Sequence, residues 1–177
     1  MAGLLALIAL GLAGCGSNPK DPLANVPAPC PNVALLGDAA DLSRYAGGRE
    51  DLTTMVLDAR LTGFQAKCDY APNHAGLDVT LRLAMSAERG PAATGNTAQL
   101  PYMVAVVSAD ESAVLARATY TAQVEFPANV SRVQTQGEEL SIRIPGGVEQ
   151  ARTRRVLLGF VLTPEELAVN RRRGPRG

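Results

Sequence analysis

The feature that most constrains this chain is a strict alternation of apolar and polar residues, repeated over several long stretches with no long helical pattern between them. Leu77-Asp-Val79-Thr-Leu81-Arg-Leu83-Ala-Met85-Ser86 is the clearest case, with Leu, Val, Leu, Leu and Met on one side. A period of two places those side chains on a single face of a pleated strand, so the stretch must lie with that face on a core. Met55, Leu57, Ala59 and Leu61 alternate in the same way with Val56, Asp58, Arg60 and Thr62. Phe64, Ala66, Cys68 and Tyr70 then continue one residue out of phase. A β-bulge at Gly63 absorbs one residue and keeps both halves facing the core, whereas two strands joined by a tight bend is the competing arrangement.

Further strands follow from the same reading. Val33–Leu36 is a short one. Leu100–Val107 and Val156–Leu162 are apolar on both faces and therefore central. Ala116, Ala118, Tyr120, Ala122, Val124 and Phe126 alternate with polar residues over a long strand ended by Pro127. Val130 and Val133 lead to an alternating strand at Leu140, Ile142 and Ile144, closed by Pro145-Gly146-Gly147. Between them, residues 89–99 form a small-residue loop and Asp110-Glu111-Ser112 a turn. The segment Asp38–Tyr45 predicts a short helix or helical turn, with an acid at its start, Leu42 and Tyr45 on one face and Gly47-Gly48 as its stop. Thr163-Pro164-Glu165-Glu166 is a capping box with proline at the first helical position, so a short helix begins there. Arg171-Arg172-Arg173 suits its C-terminus, after which a solvated, fraying end is expected. Six or seven strands at hairpin spacing predict an all-β fold: a single antiparallel β-sandwich of immunoglobulin-like architecture, with a small closed barrel as the alternative.

The N-terminal stretch is of another kind. Leu4–Leu12 is an uncharged apolar block, too short for a bilayer span of about 20 residues and of the length of a secretory signal core. It runs into Leu12-Ala13-Gly14-Cys15, and Gly16-Ser17-Asn18-Pro19 prevents any helix from continuing. Leu12–Cys15 resembles the lipobox of bacterial lipoproteins. That resemblance implies cleavage between Gly14 and Cys15, with fatty acyl groups on the Cys15 thiol and on the new amino terminus. Two or more chains anchor a protein essentially permanently, each buried methylene contributing about 0.8 kcal/mol. Gly rather than Asp at position 16 favours the periplasmic face of the outer membrane under the enterobacterial sorting rule; the periplasmic side of the inner membrane is the alternative. Residues 1–14 are thus a signal peptide. Residues 15–31, with five prolines, are an extended tether; 32–163 are the β-domain, and 164–177 the helix and basic tail.

Composition narrows function mainly by exclusion. Seventeen Lys and Arg balance 17 Asp and Glu, so no overall field draws the chain to nucleic acid. A single histidine rules out multi-histidine metal sites. Cys30 and Cys68 form an even pair once Cys15 is lipidated, which in an oxidising compartment points to a disulfide. His74 lies in a loop with no nucleophile or orienting acid near it in sequence, and reads as a surface residue. Asp38 and Asp41 suit capping, Asp58 and Arg60 a solvated strand face, and Glu138-Glu139 and Glu165-Glu166 a turn and a helix start. Asn129-Val130-Ser131 matches a glycosylation sequon of little weight in a bacterial envelope protein. The basic tail, with Arg176, is a candidate for contact with anionic lipid or another envelope polymer. No phosphate loop, GxSxG elbow, HExxH or paired CxxC is present. No catalytic, metal or cofactor site is therefore expected.

The blocks at Cys30–Leu36, Asp58–Tyr70, Arg82–Pro91 and Leu162–Leu167 together resemble a family of α-proteobacterial lipoproteins. That resemblance implies a bacterial envelope setting and no particular activity. The expected role is non-enzymatic, a lipid-anchored module that binds or scaffolds an envelope protein. The alternatives are a binder of a small apolar ligand, or a hydrolase using His74.

Overall fold

The computed structural model describes residues 26–174. In chain order the strands are β1 (Asn32–Leu35), β2 (Asp41–Tyr45), β3 (Met55–Tyr70), β4 (Gly76–Arg89), β5 (Thr97–Val107), β6 (Val114–Glu125), β7 (Arg132–Gln136), β8 (Leu140–Pro145) and β9 (Arg155–Phe160). Helix α1 (Val148–Thr153) precedes β9 and α2 (Pro164–Arg173) follows it. One sheet has the order β1-β9-β5-β6; the other runs β2-β3-β4, with β8 and β7 end to end along the far edge of β4. The two sheets pack face to face as the expected β-sandwich, and neither closes into a barrel among the described residues. Every pair is antiparallel except β1–β9.

Alternation places the core. On β4, Leu77, Val79, Leu81, Leu83, Met85 and Ala87 are all buried while Asp78 and Arg82 face out. From the other sheet Leu100, Tyr102, Val104, Val156, Leu158 and Phe160 meet them. As expected, β5 and β9 are interior strands of their sheet. The phase slip in β3 is a bulge. Leu61 pairs with Met85, and Gly63 with Ala84, so Thr62 is the extra residue. Leu61 before it and Phe64 after it both turn toward the core, and the strand stays continuous over 16 residues.

Three expectations are corrected. Asp38–Tyr45 is not a helix: a 3-10 turn at Gly37–Ala39 leads into β2, which pairs with β3 from Asp41↔Arg60 to Tyr45↔Met55. Pairing buries Leu42 completely, a gain no isolated helical turn of this length offers. The second correction is α1, which sequence reading missed. Gly146 and Gly147, at φ 108° and 78°, turn the chain so that Ala151 packs against the second sheet. The third concerns β6. Its first half is exposed on both faces, with Val114 at 66% and Leu115 at 49%, because the second sheet does not reach beneath it.

The capping box holds. Thr163 Oγ1 accepts from the Glu166 N–H at 3.2 Å, and Glu166 Oε2 accepts from the Thr163 N–H at 2.8 Å. Helix α2 therefore starts at Pro164 and lies along β2.

Candidate functional site

Gly14 and Cys15, the residues of the lipobox-like motif, lie outside the described residues. So do most of the tether and Arg176. What the structure displays is where the tether meets the domain. Cys30 and Cys68 form a disulfide across 38 residues of sequence, with Cα atoms 5.4 Å apart. Cys68 stands near the end of β3, opposite Val79 of β4. The covalent link thus pins the chain just before β1 onto the second sheet.

Beside the disulfide is an open cleft of about 770 Å³, lined among others by Pro27, Ala28, Lys67, Asp69, Tyr70 and His74. His74 meets the Tyr70 ring edge-on, with centroids 5.0 Å apart. It sits in a tight loop with Asn73; both adopt left-handed φ, 53° and 56°, and the His74 N–H donates to Ala71 O at 2.9 Å. Lys67 and Asp69 form an ion pair at 3.0 Å on the same rim. The described lining contains no serine, threonine or free thiol. Asp69, Lys67 and Tyr70 are the polar side chains that share the lining with Asn73 and His74. The cleft offers one amphipathic ring pair and one ion pair among small apolar side chains.

A second cluster surrounds α2, where the basic last turn is exposed and also paired; the expected fraying end, with Arg176, lies outside the described residues beyond position 174. Arg171 pairs with Asp38 at 3.1 Å and Arg172 with Glu50 at 2.5 Å. Arg173 donates to Ser43 Oγ and Tyr45 Oη while its guanidinium lies over the Tyr45 ring, 5.6 Å from the centroid. Between them Asn170, buried, donates from Nδ2 to the carbonyls of Asp38 and Asp41 at 2.9 and 2.7 Å. Arg44 of β2 reaches Glu166 at 3.0 Å. A shallow cleft of about 420 Å³ remains beneath α2, between Tyr45, Glu50, Val56 and Val169.

The remaining sequence candidates are spread over the molecule. Asp41, buried on β2, lies 3.6 Å from Arg60. Asp58 accepts from Ser43 Oγ at 3.1 Å. Glu139 pairs with Arg82 at 3.1 Å. Glu138 lies near Tyr102, whose hydroxyl is pushed up in pKa first by burial and then by that carboxylate. Glu165 is held below the usual carboxylate range by the backbone N–H at the helix start and by Thr163. Asn129 occupies a left-handed turn position. The structure thus disperses Asp38, Asp58, His74, Glu138 and Glu165 rather than bringing them together. No three His, Cys, Asp or Glu side chains converge as a metal would require among the described residues. No described helix is long and apolar enough to cross a membrane.

Sequence reading missed the Asn170 and Arg173 docking contacts, whose partners lie far upstream. It also missed the open half of β6, for which exposed Ala116 and Ala118 on the supposedly inward face were a faint signal. Comparison with family models, curated proteins and solved structures finds no match. The class that fold and geometry define is a disulfide-braced β-sandwich whose charged side chains mostly pair with one another.

Proposed function

We propose that this chain is a lipid-anchored cell-envelope module, held by acyl chains on Cys15 at the periplasmic face of a membrane, where its sandwich domain binds or scaffolds another envelope component. The observation that carries the reading is the Leu12-Ala13-Gly14-Cys15 stretch following an apolar block. Two features of the domain support it. The Cys30–Cys68 bridge belongs to an oxidising compartment such as the periplasm. It also lies where the tether enters, so pull on the anchor is borne by a covalent bond to β3 and not by strand β1 alone. The ionisable groups support a binding role, since Asp38, Asp41, Glu50 and Glu166 are engaged in ion pairs and Lys67 pairs with Asp69 beside His74.

The test is metabolic labelling with an alkyne fatty acid in bacteria producing the full chain, followed by membrane fractionation. The wild type is expected in the membrane fraction carrying the label, and Cys15→Ser is expected to lose both label and membrane retention. Equal labelling of the two proteins, or an unlabelled wild type in the soluble fraction, would overturn the anchor.

A further inference from the structure

The longest exposed sheet edge is β6, and its backbone, charges and open end fit a second copy of itself. Among the described residues β6 pairs only with β5. Two hydrogen bonds fix which way its backbone groups point. The Phe126 N–H donates to Asn96 O at 2.7 Å, so even-numbered residues of this strand face β5. Independently, Pro101 O accepts from the Val161 N–H at 2.9 Å, on the β9 side, so its partner Thr121 is turned away from β5. Residues 117, 119, 121, 123 and 125 therefore present their N–H and C=O groups along the free edge.

Edges of this length are usually blunted by proline, lysine, a bulge or a covering element. Between Ala116 and Glu125 there is no proline or lysine, and the one register shift lies at its start, opposite Val106 and Val107. The other edges are shorter or interrupted: β1 has four residues, β2 five with α2 packed along it, β7 and β8 five and six, and the stretch of β3 beyond β2 carries the Lys67–Asp69 ion pair and the disulfide.

We propose that two copies of this chain join edge to edge, β6 antiparallel to β6, about a twofold axis at Thr121. The register follows from charge. Arg117 and Glu125 are the only charged residues of the strand; both are exposed, and neither has an ion-pair partner among the described residues. An axis at Thr121 sets Arg117 of each copy directly opposite Glu125 of the other, and Thr119 opposite Gln123. Moving the axis to residue 120 or 122 breaks both charge pairs, leaving Glu125 opposite Leu115 or Thr119. On the inner face the same register lays Ala116 and Ala118, uncovered in one copy, beside Phe126 and Val124, which the second sheet of the other copy covers. The two four-stranded sheets then become one of eight, joined by about ten main-chain hydrogen bonds. This surface does not depend on the lipid anchor.

The test is cysteine crosslinking in the full chain, in membrane and soluble fractions alike, with copper phenanthroline as oxidant and wild type as background. Opposed residues in such a pair have Cα atoms about 5.5 Å apart, within disulfide reach. Thr121→Cys is expected to give a covalent dimer. Thr119→Cys and Gln123→Cys are each expected to remain monomeric alone and to crosslink when the two variants are mixed. Adding Arg117→Glu to Thr121→Cys should lower dimer yield about tenfold, since each attractive pair becomes repulsive, and adding Glu125→Arg as well should restore it. All of these changes are on exposed positions, and the circular dichroism of each variant reports that it has folded. A folded Thr121→Cys protein that stays monomeric, equal crosslinking at all three positions, or a crosslink to a different protein or to residues of the tether would overturn the proposal.

Discussion

Asn170 is the buried polar side chain by which α2 is locked into the domain, and its removal tests whether the helix is docked or merely adjacent. Its amide donates to two backbone carbonyls, Asp38 O at 2.9 Å and Asp41 O at 2.7 Å, and the residue is only 8% exposed. Asn170→Ala deletes both donors and leaves one buried and one part-buried acceptor without them. At about 1–3 kcal/mol for each buried group left unsatisfied, and some rehydration at the Asp38 end, the loss is about 2–5 kcal/mol. For a domain of this size that lowers the melting temperature by roughly 5–15 °C. Arg172→Ala is the control, because its partner Glu50 and its own side chain are exposed and such pairs contribute about 0–1 kcal/mol. Asn170→Asp sharpens the test. An ionised carboxylate would face two carbonyl oxygens, so its pKa is raised in the folded state. Its stability deficit is therefore largest above that raised pKa and shrinks as pH falls through it and the acid becomes a donor. Urea unfolding followed by circular dichroism, at neutral pH and at mildly acidic pH, measures all three. An Asn170→Ala protein no less stable than Arg172→Ala would refute the docking of α2 described here.

Removing the bridge with Cys30→Ser and Cys68→Ser is expected to cost roughly 4 kcal/mol by loop-closure entropy over the 38-residue separation, read as a thermal shift of about 8–16 °C. Gly90→Ala is expected to destabilise by at least about 1–3 kcal/mol, as overpacking does. A Cβ there would lie 2.0 Å from Met55 O, whereas Gly95→Ala, with open space around it, should be silent in the same melt. Asp110 is held down to about 2 by the hydroxyls of Ser108 and Ser112 and the Ser112 N–H. Because the folded value is depressed, its contribution is complete above the ordinary value near 3.8 and fades as pH falls through about 2. Carboxyl NMR titration should find that midpoint, and Ser108→Ala should move it upward.

The parts of the fold legible in the sequence are those set by neighbours in sequence. Alternation in β4 needs only its own residues to show which face is buried. The slip at Gly63 was readable because both halves of β3 carry their own pattern. The capping box at Thr163 and Glu166 closes within three residues. The β2 segment carried competing signals, Leu42 and Tyr45 at helical spacing against a five-residue extended run. Its pairing with β3, invisible locally, settled the contest. The partners of the basic last turn were hidden for the same reason, since Asp38 lies 133 residues from Arg171 and Glu50 lies 122 from Arg172. Of the site, the cysteine pair could be proposed from counting and compartment alone. The exposed half of β6 could not be, because alternation reports which face is apolar and not whether a second layer extends far enough to cover it.

Membrane attachment rests on acylation at position 15. Intact mass spectrometry of the native protein, extracted from the membranes of the bacterium that makes it, tests this directly. The expected species begins at Cys15 and is heavier than its sequence mass by two or three fatty acyl groups with the glyceryl link. A chain retaining residues 1–14 with an unmodified thiol at position 15 would contradict it.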